Sequence, residues 1–73
     1  MLFSTADDFN LCNKIVRFEL NKRKINISDN VRNKIVEDVM NISYSKGGGY
    51  SSEILQSFAE TYIEEEFYKK YYE

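Results

Sequence analysis

All three glycines of this 73-residue chain are consecutive, Gly47 to Gly49, and there is no proline. A glycine run is entropically costly to order, so a short chain carries one where the backbone must turn sharply or approach something closely. The run lies between two stretches with strong helical periodicity. Before it, Val31, Ile35, Val39 and Ile42 recur at intervals of four, four and three, beside Val36 and Met40. After it come Ile54, Leu55, Phe58, Tyr62, Ile63, Phe67 and Tyr71. The spacing predicts a helix from about Asp29 to Ser43, capped by Ser28, and a second of about twenty residues from Ser51–Glu53 to the C-terminus. The glycines then read as the turn between two helices: Gly47 ends the first in a left-handed conformation, and Gly48 and Gly49 let the chain reverse. They do not match a nucleotide-binding loop, which follows a strand and has wider glycine spacing or a Gly-Lys-Ser/Thr ending.

Upstream, "STADD" places Ser4 or Thr5 as a cap with Asp7 or Asp8 in the first turn of a helix starting near Ala6. Phe9, Cys12, Val16 and Leu20 fall near helical spacing, although Val16, Phe18 and Leu20 also alternate with Arg17 and Glu19 as a strand would. "KRKINIS" follows, in which Ile25 and Ile27 alternate with Lys24 and Asn26. This is the strongest strand signal in the chain. A lone strand leaves its backbone groups unpaired, so a second copy must pair with it. Antiparallel pairing about a two-fold axis buries Ile25 and Ile27 and turns Lys22, Lys24 and Asn26 outward. The fold expected is mainly α with one short strand, a homodimer whose core also holds Val31, Ile35, Val39, Ile54, Phe58 and Tyr62. A chain this small favours an oligomer on core size alone.

Composition narrows the function. The chain has no histidine, so it has no Ser-His or Cys-His nucleophile pair, and a single cysteine, Cys12, forms no internal disulfide and no usual zinc site. Glu64, Glu65 and Glu66 are consecutive and fan out around a helix instead of converging. No enzyme, metal or cofactor is expected. Nor is a signal peptide or membrane span, so the expected location is intracellular. Lys14, Arg17, Lys22, Arg23, Lys24, Arg32 and Lys34 outnumber Glu19 and Asp29 in the middle of the chain, whereas glutamates dominate after Gly47. A basic middle with an acidic end can meet a polyanion with one surface.

"KRKINISDNV" resembles the strand and helix start of ribbon-helix-helix DNA-binding proteins, and "YSSEILQSFAETY" is similar to the opening of that family's second helix. The resemblance covers residues 22–62, with 1–21 a helical N-terminal extension and 63–73 an aromatic, acidic extension of the last helix. It implies a sequence-specific DNA-binding homodimer, a transcriptional regulator or repressor, with the ribbon in the major groove. Lys22, Lys24 and Asn26 would read bases. Tyr50, Ser51 and Ser52, at the start of the second helix of the motif, would hold a backbone phosphate, with Arg32 and Lys34 as further phosphate contacts. Arg23 stands where the family has an inward apolar residue, and must emerge at an edge, pair with a carboxylate or shift the register. The aromatic ending is similar to those of small proteins from spindle-shaped viruses of hot-spring archaea, which implies the cytoplasm of a host cell. The alternative is a small helical interaction module, a viral inhibitor or antitoxin-like protein that binds a partner protein through Phe67, Tyr68, Tyr71 and Tyr72. For the two extensions the leading expectation is structural: the stripe Ile63, Phe67 and Tyr71, with Tyr68 and Tyr72 alongside, and the N-terminal Phe9, Cys12, Ile15 and Val16 cover each other.

Overall fold

A computed structural model of the chain describes residues 6–47 and 49–72, with Tyr72 described by its backbone alone. The expected caps Ser4 and Thr5, the middle glycine Gly48 and the side chain of Tyr72 therefore lie outside the described residues. Three α-helices follow one another, α1 (Ala6–Lys22), α2 (Asp29–Ser45) and α3 (Ser52–Glu64), and a 3-10 segment, η1 (Phe67–Tyr72), closes the order.

Among the described residues there is no strand, which overturns the ribbon-helix-helix architecture. The reason lies in the last turn of α1. Val16 and Leu20 point inward one turn apart, and Phe18 between them is 59% exposed, so the apparent alternation belongs to a helix. The helix then ends in a Schellman motif. Lys24 takes a left-handed conformation, φ 57°, and donates its N–H to Asn21 O at 3.0 Å, while Ile25 donates to Leu20 O at 2.9 Å. An Ile25 amide bonded back to its own helix is not available to a strand ladder. Ile25 and Ile27 instead pack, partly buried, against the chain's own core. The need for a second copy rested on the lone strand, and that argument lapses with it. The radius of gyration, 11.2 Å, matches what a compact single chain of this length has.

Lysine at a left-handed position carries a backbone cost of about 1–2 kcal/mol that glycine escapes. Lys24→Gly is therefore expected to raise the unfolding free energy by about 0.5–1 kcal/mol, after the larger chain entropy of glycine is subtracted. Urea denaturation measures this, and a decrease would show that Lys24 is held by something other than the helix end.

The other two helices start as the side chains dictate. Ser28 and Ser51 cap α2 and α3, their hydroxyls accepting from the Val31 and Ile54 amides at 3.3 and 3.4 Å. Gly47 has φ 78° and Gly49 φ 69°, so the turn uses the left-handed freedom expected of it. The Ser43 hydroxyl donates to Gly49 O and ties the turn to α2. The last helix is shorter than expected. It stops at Glu64, and Glu66 turns left-handed at φ 60°. Three glutamates at a helix C-terminus oppose its dipole, which removes support for another turn.

One core joins all the elements: Cys12, Val16 and Leu20 from α1, Ile35, Val36, Val39 and Met40 from α2, Leu55, Ala59, Tyr62 and Ile63 from α3, and Tyr68 from η1. Of the residues assigned to a dimer core, Ile35, Val39 and Tyr62 are buried here within one chain. Val31, Ile25, Ile27 and Phe58 pack at its margin, and Ile54 is half-buried. Burial pushes the Cys12 thiol up to about 12, and its Sγ lies 3.8 Å from Val36 O.

Two polar clusters sit between elements. Glu19 is fully buried. Its Oε1 accepts from Arg23 Nη1 at 2.5 Å and lies 3.4 Å from Lys22 Nζ, while Arg23 Nη2 reaches Glu64 Oε2 at 3.1 Å. Arg23 thus resolves its place by pairing with carboxylates, which raise its pKa further. On the other side, Asp38 Oδ2 accepts from the hydroxyls of Tyr62 and Tyr71, each at 2.5 Å, with Lys70 Nζ at 3.4 Å, and so clasps η1 to α2. The bond to Asp38, with desolvation, pushes Tyr71 up to about 12.

Candidate nucleic-acid interface

Once α1 buries Cys12, Val16, Glu19 and Leu20, helical geometry turns Asn10, Lys14, Arg17 and Asn21 to the opposite side at intervals of four, three and four. All four are exposed, as are Phe18 and Lys22 beside them, and the only carboxylate of α1 beyond Asp8 is the buried Glu19. Among the described residues, Lys14, Arg17 and Lys24 take part in no ion pair. The acidic residues of α3 meet the other flank of α1, where Lys22 lies 4.0 Å from Glu60 and Arg23 pairs with Glu64. The basic residues of α1 are therefore divided between a flank that meets the glutamates of α3 and a face open to solvent.

Where α1 runs into the 25–28 linker, a polar cleft of about 160 Å³ opens beside the exposed stripe. Arg17, Asn21, Asn26 and Arg32 supply its polar walls, and Leu20, Ile25 and Ile27 its apolar ones. Arg32 is held in place from both sides, donating Nε to Asn13 Oδ1 at 3.1 Å and Nη1 to Asp29 Oδ1 at 2.8 Å. It is a fixed guanidinium whose charge is partly met by Asp29.

The residues singled out from the sequence scatter around this arrangement. Asn26 and Arg32 line the cleft. Lys24 is exposed in the left-handed turn beside it. Lys22 is turned toward Glu19 and Glu60, and with no ribbon it does not share a reading face with Lys24 and Asn26. Lys34 lies over the Tyr71 ring, 5.1 Å from its centroid, away from the cleft. Tyr50, Ser51 and Ser52 lie beyond the glycine turn at the far end of α2. Thirteen residues at 1.5 Å each separate Arg32 from Ser45, about 20 Å, so the two groups of expected phosphate contacts do not converge. The Tyr50 hydroxyl is buried without a hydrogen-bond partner, and the Ser51 hydroxyl is engaged in its cap. Of the aromatic residues offered to a partner protein, Phe67 is 52% exposed, Tyr68 is 4% exposed and Tyr71 is bonded to Asp38.

Lys14, Arg17 and Asn21 were not singled out as site residues. Their signal was the polar i, i+3, i+7 spacing opposite Cys12, Val16 and Leu20, which has meaning only once that segment is a helix to its end. No protein-family model matches the chain, and neither a curated protein nor a solved structure shows significant similarity to it. No helix is long and apolar enough to cross a membrane among the described residues.

Proposed function

We propose that the protein binds double-stranded DNA with the outward face of α1 in the major groove, and that the cleft at its C-terminal end docks the adjacent phosphate backbone. The observation that carries this is the exposed stripe Lys14, Arg17, Asn21, which bears no carboxylate over the last three turns of α1, Asp7 standing on the same side in the first turn, and which continues into the cleft of Asn26 and Arg32. The residue types suit the task. Arginine and lysine pair with guanine O6 and N7, asparagine pairs bidentately with adenine, and an apolar side chain such as Phe18 meets a thymine methyl. The 17 residues of α1 are about 25 Å long, and a major groove admits such a helix. One chain presents the whole face. Regulation of transcription is the role that sequence-selective binding of this kind serves.

Counterion release tests the reading. With Arg17 on a base edge, Lys14, Lys24 and Arg32 meeting phosphates would give a slope of log K against log salt of about −2.7 per chain. Fluorescence anisotropy on a labelled duplex between low and physiological salt measures it. A flat salt response, or no binding at low salt, rules out this face as a DNA contact.

A further inference from the structure

A second hollow, of about 360 Å³, lies away from the basic stripe between α2, α3 and η1, within the size range of small-molecule sites. The rings of Tyr62 and Phe67 meet edge to face in it, 5.6 Å between centroids, and Ile42 completes an apolar wall. Asp38, Asn41 and Lys70 supply its polar groups. Asp38 is the distinctive one. Its Oδ2 takes the Tyr62 and Tyr71 hydroxyls and the Lys70 ammonium, and Oδ1 takes none of these three bonds. Three partners on one oxygen hold the carboxylate rigid and leave the other as a preorganised acceptor.

Charge selects among occupants. Lys70 sits 3.4 Å from Asp38 and cancels its charge, and Lys34 adds a second ammonium over the nearby Tyr71 ring. An organic cation therefore gains little from the carboxylate, and an organic anion must approach it. A neutral molecule with an aromatic body and one N–H or O–H donor meets every feature: its ring packs against Phe67 and Ile42, and its donor reaches Asp38 Oδ1. We propose that this hollow is a binding site for a small neutral aromatic molecule carrying a single hydrogen-bond donor, with Asp38 as the acceptor and Phe67 as the stacking wall.

Indole serves as the probe. Titrated into the full-length ¹⁵N-labelled protein, it is expected to give saturable amide shifts at Asn41, Ile42 and Phe67, with a Kd near or below about 1 mM for a ligand of this size. 1-Methylindole, which keeps the ring and loses the donor, is expected to bind about ten-fold more weakly. Benzylammonium and benzoate should both bind more weakly than indole. Phe67→Ala, at an exposed position that leaves the core intact, should weaken indole about five-fold or more. Shifts that do not saturate, equal affinity for indole and its methylated form, or tighter binding of either charged probe would overturn the proposal. So would a Phe67→Ala protein that binds indole unchanged. These readouts need no DNA, so the site stands or falls apart from the DNA-binding reading.

Discussion

The double variant Arg17→Ala/Asn21→Ala is expected to lose about 2–6 kcal/mol of duplex-binding free energy, on the basis of about 1–3 kcal/mol for each good bidentate contact. That is a loss of roughly 30-fold or more at fixed salt. Folding should survive. Both residues are exposed on α1, neither belongs to the core, and alanine is the best helix former, so the helical signal and melting temperature are expected to stay near those of the parent. Lys46→Ala, exposed beyond the far end of α2, is the matched control and should leave binding nearly unchanged. Should the α1 double variant bind as tightly as the parent, α1 does not read the duplex, whatever the salt dependence of the complex.

Arg23→Ala is expected to destabilise the protein by about 2–4 kcal/mol. The Glu19 carboxylate is 0% exposed and its Oε2 has no partner, so removing Arg23 leaves a buried charge with Lys22 alone beside Oε1. Breaking a fully buried pair costs about 3–5 kcal/mol. The lower figure applies here because the Arg23 side chain retains 21% of its exposure and water screens part of the field. A chain of this length has a total stability of about 4–11 kcal/mol, so the single variant loses a large share of it. Replacing the pair together, as Glu19→Leu/Arg23→Met, removes the desolvated charge and is expected to return to within about 1 kcal/mol of the parent. Urea unfolding of the parent, Glu19→Leu, Arg23→Met and the Glu19→Leu/Arg23→Met double variant closes the cycle. Additive losses in the double variant would mean that the two side chains act independently and that burial of Glu19 is sustained by other contacts.

The helices were legible where periodicity, cap and turn residue agreed. Ser28 with Asp29 marked the start of α2, Ser51 with Glu53 the start of α3, and Gly47 marked the left-handed end of α2. The end of α1 carried no such mark. Its left-handed residue is Lys24, where a glycine would have announced the Schellman motif, and the isoleucines after it mimic a strand once the helix end goes unrecognised. That single misreading created the ribbon, the outward set Lys22, Lys24 and Asn26, and the need for a second copy. The break between α3 and η1 was equally silent. Apolar spacing continues through Phe67 and Tyr71, but the segment is redirected by a hydrogen bond from Tyr71 to Asp38, 33 residues earlier in the chain.

Charge polarity along the chain and the absence of histidine are properties of the sequence alone, as is the helical period of the three main segments, because each depends on residues close together or on composition. Which face each helix turns outward was decided only by tertiary packing. Glu19 and Lys14 look alike as charged residues on one helix, yet one is sealed beneath Arg23 and the other lies open to solvent. The physical reason is that burial of Cys12, Val16 and Leu20 against α2 and α3 fixes the rotation of α1, and that rotation selects the residues left to meet a partner.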